Sequence, residues 1–227
     1  MTKRKNVDDV TSNIPGSEGQ SRKYGMSTLA VHAGARPDPV TGARGTPIYQ
    51  TTSFVFDDAE HGAELFNLQT FGYVYSRMTN PTVSVFEERV AQLEGGRGAV
   101  ATSSGHAAQF IAAATLMEAG DEFIASRNLY GGSVTQFGVS FPKLGWKCNF
   151  VDPTDPENFE KAMNDKVKFI FCEGVANPGG IILDLEKIAD IAHKNGVLLI
   201  VDNTLASPYL LRPFEWGADL VVHSTTK

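Results

Sequence analysis

Three short segments of the sequence carry side chains suited to chemistry, and each follows an apolar run. The first is TSSGHAAQF, residues 102–110, in which small residues lead into a helical pattern. Small residues let the backbone approach a ligand closely, and the free N–H groups at a helix N-terminus attract anions. The segment is therefore a candidate phosphate site, although a well-capped helix that follows a strand explains the pattern equally well.

The other two segments supply a carboxylate and an amine. Asp202 directly follows the apolar run VLLIV, where ionisation is costly unless a cation lies close, and a turn cap is the alternative. Lys227 follows Ser224 and Thr226 in HSTTK; it is either solvated or able to form a Schiff base with a carbonyl compound. Together the three segments predict a pyridoxal phosphate site, because the phosphate, the ring nitrogen and the aldehyde each gain a partner.

Other kinds of site find less support in the sequence. The histidines have no metal-ligand spacing and the two cysteines form no CxxC pair, so we expect no metal site. No GxSxG elbow occurs, and residue order alone supports no Ser/His/Asp triad. Gly96, Gly98 and Ala101 match a loose dinucleotide pattern, but they precede an apolar run, whereas that fingerprint must follow a strand.

The elements that must position these segments alternate from about residue 81 onward. Apolar runs separated by helical patterns indicate a mostly parallel sheet with helices on both faces, and hence an α/β fold. Ligands of such sheets bind beyond the carboxyl ends of the strands, where all three segments lie. The predicted strands are 98–102, 122–126, 146–151, 167–172, 197–202 and 218–223, and the predicted helices are 83–94, 106–118, 132–143, 155–164 and 184–195.

Three regions follow from these patterns. Residues 1–25 are polar and aperiodic, which predicts a disordered tail. Residues 26–82 are irregular but rich in aromatic side chains, which suits an arm that packs on another body such as a neighbouring subunit. Residues 83–227 form the predicted cofactor-binding α/β domain. Because the sequence stops directly after its last strand, we expect that domain to be incomplete and the sequence to be a fragment.

Composition restricts the function classes. The sequence is 42% hydrophobic and 20% charged, as in globular proteins with a core. Its net charge of −6 and lack of a concentrated basic face argue against a nucleic-acid partner. Cys148 and Cys172 lie in apolar runs, which argues against a disulfide framework and favours a reducing compartment. No apolar run has signal-peptide or membrane-spanning character, so we expect a cytoplasmic protein.

The sequence resembles the pyridoxal phosphate enzymes of cysteine and methionine metabolism, the cystathionine γ-synthase-like group. The resemblance runs from about Ser27 to Lys227, and its motifs in order are STLAVHAG, TPIYQTTSFVF, YSRMTNPT, SSGHAA, LYGG, ANP, VDNT and HSTTK. Within the group, HGAELFNLQTFGYVYSRMTNPT and QFGVSFPKLGW look most like O-acetylhomoserine sulfhydrylases. The resemblance implies the aspartate aminotransferase fold, known as fold type I.

The resemblance also implies roles for residues around the cofactor ring. Lys227 would hold the cofactor as a Schiff base and shuttle protons, and Asp202 would pair with the pyridinium nitrogen. Asn177 would bind the phenolic oxygen. Tyr130 would stack on the ring and take part in proton transfer.

A second set of implied contacts concerns the cofactor phosphate. Backbone N–H groups of Gly105 and His106 would bind it, with the Ser224 and Thr226 hydroxyls beside them. His106 stands where many members have Met or Gln, which we expect to matter little because its backbone does the binding. Tyr75 and Arg77 would reach the phosphate of a neighbouring subunit, which implies a dimer-built site and a homotetramer.

The implied activity is that of an O-acetylhomoserine aminocarboxypropyltransferase. It would convert O-acetyl-L-homoserine and sulfide into L-homocysteine and acetate, or yield methionine from methanethiol. Methionine γ-lyase and cystathionine γ-synthase or lyase are alternatives with related chemistry. A truncated cofactor-binding module without catalysis is an alternative of another class, because the family's C-terminal domain, with its substrate-binding arginine, has no counterpart in this sequence.

Overall fold

The computed structural model describes residues 24–227, which divide into two compact units, 24–101 and 102–227. The tail predicted for 1–25 lies outside the described residues except for its last two positions. In the described part, no helix combines the length and apolar character needed to cross a membrane. Cys148 and Cys172 are both free thiols.

The first unit contains helices α1 (Met26–His32), α2 (Ala59–Phe66) and α3 (Pro81–Glu94). The sequence predicted only α3, and residues 26–82 were expected to be irregular, so α1 and α2 correct that prediction. Asp58 caps α2, because its Oδ1 accepts a hydrogen bond from the His61 N–H at 2.8 Å. Burial of one leucine in each short helix then supplies the anchor, namely Leu29 in α1 and Leu65 in α2.

The strand predicted for residues 98–102 is absent from the structure. Strand formation requires hydrogen bonds to a neighbouring backbone, and within residues 24–227 this segment belongs to no ladder. The Ala101 N–H instead donates to the Glu87 carboxylate at 2.7 Å, and Val100 is 80% exposed. Apolar composition alone was therefore a poor guide here.

The second unit is built on a parallel sheet of five strands in the order β2-β1-β3-β4-β5. This confirms the predicted α/β class. The strands are β1 (Glu122–Ser126), β2 (Lys147–Val151), β3 (Val167–Glu173), β4 (Leu198–Asp202) and β5 (Leu220–Val222). The α-helices are α4 (Gly105–Leu116), α5 (Gly131–Thr135), α6 (Glu157–Lys161), α7 (Leu185–Lys194) and α8 (Ser207–Leu210).

The helix predicted for 132–143 is divided into three segments. The α-helix α5 continues as a π-helix over Gln136–Ser140 and as a 3-10 helix over Phe141–Leu144. Pro142 has no N–H to continue an α-helical ladder, and Gly145 ends the segment in the left-handed conformation at φ 81°.

Both faces of the sheet are covered, as the side chains of β3 show, because successive residues point to opposite faces. Phe169 and Phe171 face a cluster that includes α4 and the π and 3-10 segments. Ile170 and Cys172 face the opposite cluster, which includes α6 and α7. The central strands β1, β3 and β4 are mostly apolar because both faces of the sheet contact the core there.

Polar contacts stabilise the sheet at the amino ends of its strands. The Glu122 carboxylate accepts hydrogen bonds from the amides of Asn149 at 2.7 Å and Asn164 at 3.2 Å. These bonds, that of Asn149 first, lower the pKa of Glu122 below its usual value, although its burial opposes them. At the same end of the sheet, His193 Nε2 lies 3.0 Å from Asp219 Oδ2.

Phe123 lies at the centre of the aromatic cluster, fully buried and with its ring 4.8 Å from that of Phe169. We expect Phe123→Ala to lower the free energy of unfolding by about 3–5 kcal/mol, because it removes apolar contacts and leaves a cavity. Denaturant titration measures this change. Phe150→Ala on β2 is the control, and its loss should be smaller since Phe150 is 37% exposed. Equal losses would contradict the central role of Phe123.

Candidate active site

A cleft of about 270 Å³ opens in the second unit at the carboxyl ends of the strands. This is the edge at which the sequence predicted a site. Eight of the ten predicted site residues line it: Gly105, His106, Tyr130, Asn177, Asp202, Ser224, Thr226 and Lys227. Tyr75 and Arg77 lie in the first unit, with the Arg77 guanidinium carbon 5.4 Å from the Tyr75 ring centroid.

The N-terminus of α4 forms one end of the cleft. Ser104 caps this helix, because its Oγ accepts a hydrogen bond from the Ala107 N–H at 3.1 Å. A side chain at Gly105 would bring a Cβ within 2.9 Å of the Ser224 Cβ, so the close approach of the two segments requires glycine. The arrangement provides backbone N–H groups and the hydroxyl of Ser224 at one place, which suits an anion such as a phosphate.

Asp202 ends β4 and points a carboxylate into the cleft. Its Oδ1 accepts a hydrogen bond from the Thr204 N–H at 2.9 Å. Its Oδ2 accepts one from the Gln109 amide at 3.1 Å. The carboxylate is therefore fixed by two neutral donors, an arrangement suited to holding a protonated ring nitrogen.

Glu173 is a buried cleft residue that the sequence did not single out. It ends β3 in register with Asp202, and it is 5% exposed. Its Oε1 accepts a hydrogen bond from the Tyr130 N–H at 2.6 Å, and its Oε2 accepts one from the Asn177 N–H at 2.8 Å. Burial raises the pKa of Glu173, the two backbone hydrogen bonds oppose that rise, and the charge of Asp202 adds to it. Glu173 thus links the loop of Tyr130 to the loop of Asn177, and both residues are predicted cofactor contacts.

We expect Glu173→Gln to lower the free energy of unfolding by about 1–3 kcal/mol, because the glutamine NH₂ would face one of the two buried N–H groups. Denaturant titration of the purified variant gives the value. Glu186→Gln is the matched control, since Glu186 is exposed in the first turn of α7, where loss of its charge should change stability by less than about 1 kcal/mol. Equal stability of both variants would mean that the two hydrogen bonds contribute nothing.

Tyr130 and His106 stack inside the cleft, with ring centroids 5.8 Å apart and planes 28° apart. The His106 side chain therefore has a contact that the sequence did not predict, beyond any role of its backbone. Gly132 leaves room for this pair, since a Cβ there would lie 2.5 Å from the His106 Cε1. Tyr130 is half exposed and presents a ring to the cleft.

Among the other residues that line the cleft, the sequence analysis assigned no site role to Gln109, Ser133 or Thr204. Gln109 lies one helical turn beyond Gly105, and this spacing was the available signal. Glu173 would have been found if the predicted strand had been extended by one residue beyond Cys172.

The cleft residues suit pyridoxal phosphate in kind and placement. The close-packed N-terminus of α4 can hold a phosphate, the fixed carboxylate of Asp202 can hold a ring nitrogen, and the exposed Lys227 offers a primary amine. The half-exposed ring of Tyr130 offers an aromatic face.

Comparisons with known proteins lead to the same cofactor. Residues 27–227 match the family described as Cys/Met metabolism PLP-dependent enzyme. The chain is 49% identical over 213 residues to O-acetyl-L-homoserine sulfhydrylase of Leptospira meyeri, covering 94% of this chain and 48% of the relative. It is 50% identical over 204 residues to O-acetyl-L-homoserine sulfhydrylase 1 of Thermus thermophilus, covering 89% and 48%. The chain thus spans about half the length of these curated relatives.

Solved structures give the fold-level match. A crystal structure assigned as an O-acetylhomoserine (thiol)-lyase of Campylobacter jejuni, which carries a pyridoxyl-lysine monophosphate, superposes with a TM-score of 0.87 at 38% identity. The match covers 90% of this chain and 50% of that one. A metB structure from Corynebacterium glutamicum gives a TM-score of 0.83 at 37% identity, covering 90% and 51%. Because the family match extends over nearly all of the sequence, the chain belongs to the Cys/Met metabolism family of pyridoxal phosphate-dependent enzymes.

Proposed function

We propose that the protein catalyses γ-replacement on O-acetyl-L-homoserine, with sulfide giving L-homocysteine and acetate and methanethiol giving methionine. The observation that carries the proposal is the placement of Lys227, Asp202 and the N-terminus of α4 around one cleft. The identity of about half the residues with O-acetyl-L-homoserine sulfhydrylases supports this choice of substrate. The reaction would serve methionine biosynthesis.

The cleft residues would divide the binding of the cofactor among them. The N–H groups of Gly105 and His106 and the hydroxyls of Ser224 and Thr226 would bind the phosphate. These residues line one cleft, and the fixed Asp202 carboxylate would keep the ring nitrogen protonated. Asn177 would bind the phenolic oxygen, and its backbone N–H is held by Glu173.

Proton transfer would be the task of Lys227. When bound, pyridoxal phosphate supplies an electron sink next to the substrate α-carbon. The Nζ of Lys227 would remove the α-proton, assist removal of a β-proton and return protons at the end. Tyr130, whose half-exposed ring lines the same cleft, would assist these transfers. Acetate would leave from the γ-carbon, where the sulfide sulfur forms the new bond.

We further propose that the protein works in the cytoplasm as a homotetramer in which Tyr75 and Arg77 reach the phosphate of a neighbouring subunit. Support comes from exposed apolar side chains in the first unit, among them Phe71, Val55 and Ile48, which are at least 84% exposed. Such side chains favour contact with another protein surface. Sedimentation velocity of the purified protein, with and without pyridoxal phosphate, tests the assembly.

The test of the activity is a product analysis of the protein supplied with pyridoxal phosphate. With O-acetyl-L-homoserine and sulfide we expect homocysteine and acetate in equal amounts, and little 2-oxobutyrate. Sulfide-independent 2-oxobutyrate would indicate a γ-lyase, and use of cysteine as the thiol would indicate a cystathionine synthase. Binding of the cofactor with no product from any substrate would indicate a non-catalytic module. O-succinyl-L-homoserine in a parallel assay separates the two ester donors.

A further inference from the structure

The side chain of Gln109 lies between α4, α5 and the end of β4 and is 4% exposed. Its Nε2 donates to Ser133 Oγ at 3.0 Å and to Asp202 Oδ2 at 3.1 Å. The two bonds use both hydrogens of the amide. The reverse orientation of the amide would place its oxygen against the carboxylate, so the contacts favour the observed orientation.

The other end of the same amide is energetically unfavourable, and packing alone does not explain why it is there. Gln109 Oε1 is buried and has no hydrogen-bond partner among the described residues. An unpartnered buried acceptor destabilises the folded state, whereas an apolar side chain of similar size would avoid that cost. A glutamine at this position is therefore better explained by what its Nε2 does to Asp202.

Asp202 has one oxygen held by the backbone of its own strand end and one held by Gln109. Thr204 N–H fixes Oδ1 from a position two residues along the chain, whereas Gln109 reaches Oδ2 from a separate helix. Without the second bond the carboxylate would be free to rotate about its terminal torsion, which has broad preferences. Both donors are neutral, so they orient the carboxylate without cancelling its charge.

We propose that Gln109, itself held by Ser133, is a positioning residue that fixes the Asp202 carboxylate for its contact with the ring nitrogen of pyridoxal phosphate. This inference rests on the cofactor role proposed for Asp202. It does not depend on which substrate or thiol the protein uses.

The experiment compares the pyridoxal phosphate-bound protein with Gln109→Leu and Ser133→Ala variants. Gln109→Leu keeps much of the volume and removes the donor. Because the Asp202 carboxylate would then have to be oriented when the cofactor binds, we expect the cofactor Kd to rise about tenfold. With ¹⁵N-labelled cofactor, the ring-nitrogen NMR signal should shift toward that of neutral pyridine. Ser133→Ala should move both readouts in the same direction by less.

Thr115→Val is the control, since it removes a side-chain hydrogen bond from the exposed side of the same helix. It should leave the Kd and the ring-nitrogen signal unchanged. A Kd within twofold of wild type in Gln109→Leu, with an unchanged ring-nitrogen signal, would overturn the proposal. If that variant fails to fold, a Ser133→Ala variant with no measurable change in either the Kd or the ring-nitrogen signal overturns it. A neutral ring nitrogen in the wild-type protein would also overturn it, even where homocysteine forms.

Discussion

Lys227→Ala is expected to abolish turnover nearly completely. Loss of a positioned general acid–base group alone lowers rates by about 10²–10⁴-fold, and this variant would also lose the amine that carries the cofactor. Steady-state production of homocysteine measures the effect. Lys143→Ala is the control, because Lys143 is an exposed lysine of the same unit outside the cleft and should keep full activity.

Mass spectrometry after borohydride reduction gives a second readout for the same variant. The wild-type protein should show a pyridoxyl group on the peptide that contains Lys227, and the variant should show none there. Wild-type turnover by Lys227→Ala with cofactor bound would refute the proton-transfer role. A pyridoxyl group on another lysine of the wild-type protein would refute the attachment role.

Asp202→Asn is the second change with a large expected effect. The variant keeps an oxygen for the Thr204 N–H, but it loses the negative charge and places an NH₂ group against the Gln109 amide. Loss of one preorganised electrostatic partner typically lowers rates by about 10²–10³-fold, and we expect kcat to fall by that factor. Rate measurements at saturating pyridoxal phosphate separate this effect from weaker cofactor binding.

The control for Asp202→Asn is Asp190→Asn, which removes the same charge from the exposed surface of α7. It should keep wild-type rates. If Asp202→Asn also kept a wild-type kcat with bound cofactor, the ring nitrogen would not need this carboxylate, and the proposed mechanism would be wrong.

Sequence patterns predicted the sheet well because its central strands, β1, β3 and β4, are mostly buried. The run 197–201, apolar throughout and followed by Asp202, marks both strand β4 and the end of the sheet at which Asp202 lies. The same approach failed for residues 98–102, since strand formation depends on a neighbouring backbone and not on composition. Helices α1 and α2 were missed because they are short and each buries a single leucine, which leaves almost no periodic signal.

For the site, the sequence predicted residues that would contact a cofactor. It did not predict the residues whose hydrogen bonds keep those residues in position. Gln109 and Asp202 are separated by 93 positions, and Tyr130 and Glu173 by 43, so their hydrogen bonds leave no local pattern. The roles of Tyr75 and Arg77 stay predictions, as does the arm function of residues 26–82. Those roles depend on a second subunit, whose surface no single-chain pattern describes.

The two ends of the strands in the parallel sheet have different roles. Every residue proposed to bind the cofactor within the second unit lies toward the carboxyl ends, whereas the Glu122 and His193 contacts lie at the amino ends. A strand of five residues separates the two ends by about 17 Å. Substitutions at the amino ends of the strands can therefore change the stability of the fold while the reaction stays the same. Substitutions at the carboxyl ends can change substrate choice while the stability of the fold is kept.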